Sequence, residues 1–396
     1  MATAMGVSSG LPILGQPGLF QAVCFFLLLL YSHGGASALS SSSSSPPSQK
    51  NTIAVFGGSG FIGRRVCEQL SYQENVHVIS ISRSGRPPDY YCPNHWNANQ
   101  VDWIQADMLS QTIPALPPLT AAVSLVGNVE PVPHWKGFFG LGFDDEKLRI
   151  ENGLVNERIC QAAKHAGAER FVFVSVSYEV AKAFEGPIEG YLDGKRRAEF
   201  AASDAFGNDN TVVLGPSVVY GGKRFPRLGK LYRSFVESKL AKAYVTSNQA
   251  LRNLSVAPLQ DWLEQAIFSS PVDVSIVANV ICAAALGQVD RSVVPTRRRQ
   301  GFWNEQGDVM TYADVIFVDG THEIERVSQE VALLEPLSNK ENINSARAAK
   351  EPIAEGGMEN VTTYLRPLPV VAFFATIFWA VMTQQFIQTV QILPTA

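Results

Sequence analysis

The chain is short of the features that would make it a metalloprotein or a disulfide scaffold. Its five cysteines are Cys24, Cys67, Cys92, Cys160 and Cys282. None forms a Cys-x-x-Cys pair or lies at ligand spacing from a histidine, so neither a zinc site nor a disulfide framework is expected. Cys67 and Cys160 fall on predicted helices, where a buried thiol serves as a small hydrophobe. Charge of one sign is scarce too: 32 Lys+Arg stand against 36 Asp+Glu, a net −4. That balance argues against a nucleic-acid partner. The triplet Arg297-Arg298-Arg299 offers a contact for anionic lipid or phosphate, but three charges in a loop are usually just solvated. There is no internal repeat.

What is present is apolar. Hydrophobic residues make up 46% and charged residues 17% of 396, enough for a sizeable core and too apolar for global disorder. The length suits two domains or one large α/β domain with tails.

Both ends carry apolar runs. Residues 19–31 are apolar but short for a bilayer, and Ala36-Ser37-Ala38 behind them is a small-x-small cleavage pattern. Residues 1–38 therefore read as a signal peptide, although no Lys or Arg precedes the run. Residues 39–50 are Ser/Pro-rich and free of acids, as transit or linker segments are. The Ala-Ser-Ala-Leu junction resembles the bipartite targeting signals of algae with secondary plastids, which points to the plastid. The alternative is the secretory pathway through the endoplasmic reticulum, where the sequons at Asn253 and Asn360 become available for glycosylation. At the other end, residues 367–396 hold no charge. A helix over 367–391 is long enough to span a membrane, at about 1.5 Å per residue. Gln384, Gln388 and Gln391 on one face suit instead a helix lying in the interface or packing on a partner. Residues 335–366 lack an apolar period and read as a linker.

The body alternates strands and helices. Thr52–Phe56 is a buried strand; Ile62, Val66 and Leu70 mark a helix stripe; Val76–Ile81 is a second strand. Val101–Gln105, Ala121–Val126, Arg170–Ser175 and Thr211–Leu214 continue the series, with a helix over 147–166. This pattern predicts an α/β, doubly wound parallel sheet over 51–222. Helices over 228–240, 258–268 and 273–286 and a late strand, Val315–Val318, predict a smaller C-terminal lobe over 223–334, closing on the carboxyl edge of the sheet.

Between the first strand and helix lies Gly57-Gly58-Ser59-Gly60-Phe61-Ile62-Gly63. Gly57, Gly60 and Gly63 permit a tight turn and close backbone approach to a pyrophosphate, which meets the positive helix terminus. The strand before it and the helix and strand after it make the motif specific. The second strand ends without an acid to bond a ribose 2′-hydroxyl. Arg83 and Arg86 stand there instead, forks suited to a 2′-phosphate, so NADP(H) is preferred over NAD(H); the competing reading is a solvated loop. Asp107 suits the adenine amino group, or a helix N-cap.

Tyr191 and Lys195 lie four residues apart on one helical face, and Ser177 follows the fifth strand. As a set, Ser177 bonds a substrate carbonyl, Tyr191 passes a proton and Lys195 lowers the tyrosine pKa. A surface helix is the alternative, and Gly194 inside it costs about 1 kcal/mol of helix propensity.

These motifs, with Asn152, Ala198-Glu199, Gly215–Gly221 and Pro271–Val274, resemble the atypical, extended-type short-chain dehydrogenases/reductases. Among subgroups the chain is most similar to plant plastid Rossmann proteins of plastoglobules and to the fungal coenzyme-Q biosynthesis member. The accessory nucleotide-binding subunit of respiratory complex I is a more distant likeness. The resemblance implies that Gly57, Gly60, Phe61, Ile62 and Gly63 hold the pyrophosphate, and that Asp107 with Met108 holds the adenine. It also implies that Val126 and Gly127 line the nicotinamide side and that Tyr191 and Lys195 reach the ribose and reaction centre. Two positions depart from the pattern: Gly215-Pro216 replaces Arg-Pro, and Val176 interrupts a serine run.

Two functions follow. One is a reductase of a hydrophobic quinone or prenyl lipid at a membrane, held by the C-terminal helix. The other is a non-catalytic NADPH-binding subunit of a membrane complex.

Overall fold

The computed structural model describes residues 51–87, 98–109, 113–128, 132–138, 141–183, 188–222, 226–253, 264, 267–303 and 310–334. The expected signal peptide, Ser/Pro-rich segment, linker and C-terminal apolar helix lie outside them. So does most of the helix expected over 258–268.

Strands β1 (Asn51–Phe56), β2 (Val76–Ser82), β3 (Val101–Gln105), β4 (Ala121–Ser124), β7 (Arg170–Val174), β8 (Thr211–Gly215), β11 (Thr296–Trp303) and β12 (Met310–Asp319) form one eight-stranded sheet. Its order is β11-β12-β8-β7-β4-β1-β2-β3. Every pairing is parallel except that of β11 with β12. The chain runs outward from β1 through β2 to β3, then returns to β4 on the other side of β1. That reversal opens a crevice at the carboxyl ends of β1 and β4, where sheets of this kind bind ligands.

The strands read as apolar runs because both faces are covered. One face packs Ile53, Val55, Val123, Val172 and Leu214 against α1 (Gly63–Ser71), α8 (Val274–Ala285) and α9 (Gly320–Leu334). Helix α8 is apolar apart from Ser275 and Asn279 and is mostly buried, the expected state of such a helix. Asp273 caps it by accepting from Ser275 N at 2.8 Å. The other face packs Phe56, Phe171, Phe173 and Phe317 against α3 (Val155–His165) and α5 (Glu189–Phe206). Phe171 stacks on Phe206 at 5.1 Å, a pair worth about 1 kcal/mol beyond its buried area.

The structure differs from expectation at several places. The late strand does not belong to a separate lobe: β12 pairs in parallel with β8 through Ile316–Val212 to Asp319–Gly215. Its alternate residues Val315 and Phe317 against Ile316 and Val318 feed the two core faces, so its place between β11 and β8 buries both of its sides. Arg297, Arg298 and Arg299 lie on β11 rather than in a loop. The helix expected over 147–166 is α2 (Asp145–Arg149), a π-helical turn at Ile150–Leu154, then α3. The helix expected over 228–240 is two, α6 (Pro226–Val236) and α7 (Lys239–Asn253), because Ser238 Oγ accepts from Ala241 N at 3.2 Å and starts the second. These two helices stand between the short parallel pair β9 (Val219–Tyr220) and β10 (Val272–Asp273). A small hairpin, β5 (Val132–Phe138) with β6 (Leu141–Gly142), was not expected from the sequence. The remaining helix, α4 (Tyr178–Ala183), follows β7.

Among the described residues no helix is long and apolar enough to cross a membrane, and no group of three or more His, Cys, Asp or Glu could hold a metal ion.

Candidate functional site

The glycine turn closes at the carboxyl end of β1. Gly57 adopts φ +85°, a conformation that a side chain would strain, and its carbonyl accepts from Gly60 N at 2.9 Å. A Cβ at Gly63 would stand 2.7 Å from Gly58 Cα, so only glycine lets α1 start against the turn. Helix α1 begins at Ile62 without a side-chain cap and with no acid in its first turn. Its positive terminus is thus left to an anion.

The arginine loop is tied to this turn. Ser59 Oγ lies 2.7 Å from Ser82 Oγ and donates to Arg86 O at 2.6 Å. Gly85, at φ +61°, donates through its N–H to Ser82 Oγ at 3.2 Å and folds the loop back. Arg83 is exposed and makes no ion pair among the described residues; Arg86 is half-buried. At the end of β3, Asp107 Oδ1 accepts from Leu109 N at 3.0 Å, the capping geometry weighed against adenine binding, and Met108 is buried beside it.

On the far side of the crevice the end of β4 is held by a buried polar lattice. Ser124 Oγ donates to Asn156 Oδ1 at 2.5 Å, and Asn156 Nδ2 donates to Asn152 O at 2.8 Å and Val126 O at 3.3 Å. Asn152, on the π-turn, accepts from Asn128 N at 3.1 Å and donates to Asn128 O at 2.8 Å. Both asparagines are fully buried, so unpaired amides there would each cost about 1–3 kcal/mol.

Lys195 joins this lattice. Its Nζ donates to Val174 O at 3.0 Å and Val126 O at 3.4 Å, bridging the ends of β7 and β4. A Cβ at Gly127 would meet Nζ at 2.9 Å, so glycine there makes the space for the ammonium. The third N–H has no protein acceptor among the described residues. The half-buried Tyr191 presents its ring 5.7 Å from Nζ. Burial pulls the Lys195 pKa down to about 8, against the opposing attraction of Glu199. Glu199 is itself 1% exposed, accepts from Ser175 Oγ at 2.5 Å and pairs with Arg299 Nε at 3.1 Å. That pairing is why Arg299 is not solvated.

The structure therefore brings together Val126, Gly127, Tyr191 and Lys195, and separately binds the glycine turn to the loop of Arg83 and Arg86. Ser177 is placed differently. It is 1% exposed, and its Oγ accepts from Val180 N at 3.3 Å as the cap of α4. Sequence reasoning missed Ser59, Ser82, Ser124 and Asn156 and gave Asn152 no role. The i,i+4 spacing of Asn152 and Asn156 on one helical stripe was the available signal.

A parallel sheet reversing at β1 and β4, with a glycine turn and a buried lysine facing across the reversal, defines a nucleotide-binding Rossmann protein. Residues 53–213 match the model of the NAD dependent epimerase/dehydratase family. The chain is 29% identical over 234 residues to an uncharacterized chloroplastic protein of Arabidopsis thaliana, covering 59% of this chain and 70% of that one. It is 23% identical over 276 residues to the MIOREX complex component 2 of Saccharomyces cerevisiae, covering 58% of this chain and 92% of that one. Among solved structures it is similar to a UDP-glucuronic acid 4-epimerase from Bacillus cereus in complex with NAD, at 20% identity and a TM-score of 0.33, covering 47% of this chain and 64% of that one.

Proposed function

We propose that this protein is an NADP(H)-dependent oxidoreductase acting on a hydrophobic quinone or prenyl-lipid substrate at an organellar membrane. The carrying observation is Lys195, a buried ammonium with one unspent donor, set between the ends of β4 and β7 beside the Tyr191 ring. The residues fit the nucleotide: a glycine turn, an acid-free helix terminus and an unpaired Arg83 would hold the pyrophosphate and the 2′-phosphate. Bound NADP(H) supplies or accepts the hydride. Tyr191 exchanges the proton with the substrate oxygen, and the Lys195 charge favours its phenolate. The lattice through Asn152 and Asn156 keeps the lysine aimed into the crevice. A chloroplastic relative, the signal-peptide pattern and the Ser/Pro-rich segment after it support a plastid; the apolar segment 367–391 supports membrane attachment.

Two observations favour a second reading, a non-catalytic NADPH-binding subunit of a membrane complex. The Ser177 hydroxyl caps a helix and is buried, and the yeast relative is named as a complex component. Two measurements separate the readings. Nucleotide extracted from the purified protein is expected to be NADP(H); recovery of NAD(H) overturns the cofactor preference. Tyr191→Phe is expected to bind NADPH normally and lose function in a cell lacking the native chain. Full function in that variant overturns the reductase.

A further inference from the structure

Helices α6 and α7 differ in charge from the rest of the molecule. Residues 226–253 hold Arg227, Lys230, Arg233, Lys239, Lys242 and Arg252 but only one acid, Glu237, in a chain whose net charge is −4. Two of the six cations turn inward. Arg233 pairs with Glu325 and with Glu237 at 2.8 Å, and Arg252 with Glu264 at 2.8 Å. These pairs engage Glu237, Glu325 and Glu264. Arg227, Lys230, Lys239 and Lys242 are exposed and make no ion pair among the described residues. Several outward arginines elsewhere are matched, as in Arg149 with Asp193, Arg297 with Glu323 and Arg326 with Glu330.

The same helices expose the two barest large hydrophobics described, Leu231 at 60% and Leu240 at 66%. Arg227, Lys230, Leu231 and Ser234 follow i, i+3, i+4, i+7 spacing and are all exposed, so they form one face of α6. The opposite face is committed to the body: a Cβ at Gly229 would meet Tyr220 Cβ at 2.5 Å, and Val236 is buried. On α7, Lys239, Lys242, Ala243 and Thr246 repeat the exposed pattern. Its inner side buries Ala241 and stacks Tyr244 on Phe268 at 5.4 Å.

We propose that the outer faces of α6 and α7 dock on a membrane surface carrying anionic, phosphate-bearing headgroups. Unpaired cations without neighbouring acids are attracted by such a surface at roughly 1 kcal/mol each, or about fivefold in partitioning. The leucines then enter the boundary with the acyl chains, as in interfacial amphipathic helices. A purely solvated face accounts for lysines but not for two bare leucines among them. A nucleic-acid surface would want exposed aromatics for stacking or a basic chain overall; among the described residues these two helices expose no aromatic, and the chain carries net −4. The surface involves none of the residues of the nucleotide site, so it holds whether or not the reductase reading does.

The test is flotation of the full-length chain with vesicles of phosphatidylcholine alone and of phosphatidylcholine with phosphatidylglycerol. The apolar segment 367–391 is expected to bind either vesicle, so the informative quantity is the ratio of the two. Lys239→Gln with Lys242→Gln is expected to lower that ratio by roughly twenty-fivefold, two charges at about fivefold each. Leu231→Ser with Leu240→Ser is expected to lower the same ratio at least roughly fivefold, because the leucines enter the boundary only where the cations dock. Melting temperature serves as the fold control and needs no nucleotide. If the lysine pair lowers it, Arg227→Gln with Lys230→Gln gives the same readout. An unchanged ratio in the charge variants overturns the proposal. So does loss in the lysine variants with full binding in the leucine variants, which marks a surface for a soluble acidic protein.

Discussion

Gly194 of α5 and Asn152 of the π-turn stand so close that a Cβ on the glycine would lie 2.8 Å from the asparagine Cβ and 3.0 Å from Gly153 N. The glycine that weakens α5 as a helix is thus the residue that lets it reach the site. Gly153 answers from the other side, where a Cβ would meet Gly194 Cα at 3.2 Å. Gly194→Ala improves helix propensity by about 1 kcal/mol, yet must push the π-turn away. Net destabilisation of about 1–3 kcal/mol is expected by urea denaturation, with weaker nucleotide binding because Asn152 and Lys195 move apart. A stabilised variant with unchanged binding refutes the close approach.

The proposed preference for NADP(H) rests on Arg83 and Arg86. A charge-assisted hydrogen bond is worth about 1.5–3 kcal/mol, so removing either side chain should weaken NADPH binding roughly ten- to hundredfold. NADH binding should stay as it was, since only the 2′-phosphate is addressed. The Ser59 bond to Arg86 uses the backbone carbonyl and survives Arg86→Ala. Isothermal titration with both nucleotides reads the difference. Equal losses for NADPH and NADH place the arginines elsewhere.

How much of this was legible in the sequence depends on how local the chemistry is. The glycine turn, the arginines after β2 and the Tyr191–Lys195 spacing are set within a few residues, and each stands where the pattern put it. The lattice was not legible, because Ser124 meets Asn156 across 32 residues and Glu199 meets Arg299 across 100. Strand β11 was hidden for another reason. Thr296-Arg297-Arg298-Arg299-Gln300 has no apolar alternation, since an edge strand held by ion pairs needs none. Val315–Val318 was visible as a strand, but its place beside β8 is a tertiary fact that periodicity does not carry.

Lys195 gives a pH signature. Its pKa in the fold is about 8, below the ordinary 10.5. Between those values the unfolded chain binds a proton that the folded chain does not, so stability rises with pH across that window. Below about 8 both states hold the proton and the burden of the buried charge is constant. The effect amounts to at most a few kcal/mol. Other groups titrate there too, so the informative curve is wild type minus Lys195→Met, measured by denaturation from pH 7 to pH 11. That difference should climb from pH 8 to 10.5 and then flatten. A flat difference throughout means that Lys195 is not buried as a cation.

Glu199 is the group that works against that depression, and its own support is long-range. It is 1% exposed and clamped by Ser175 Oγ and by two nitrogens of Arg299, Nε at 3.1 Å and Nη2 at 3.3 Å. Arg299 in turn lies over the Phe317 ring at 3.7 Å. Breaking a buried pair leaves a charge stranded, which costs about 3–5 kcal/mol, whereas replacing both partners by uncharged groups is often neutral. Glu199→Gln and Arg299→Met should therefore each destabilise strongly, and the double variant should recover most of the loss. The attraction of Glu199 also raises the Lys195 pKa. Glu199→Gln should then lower that pKa further and move the rising part of the stability difference to lower pH. A purely structural role for Glu199 predicts the stability loss alone. Movement of the pH window, measured against the same Lys195→Met reference in the Glu199→Gln background, is what ties the β11 edge strand to the lysine of the site.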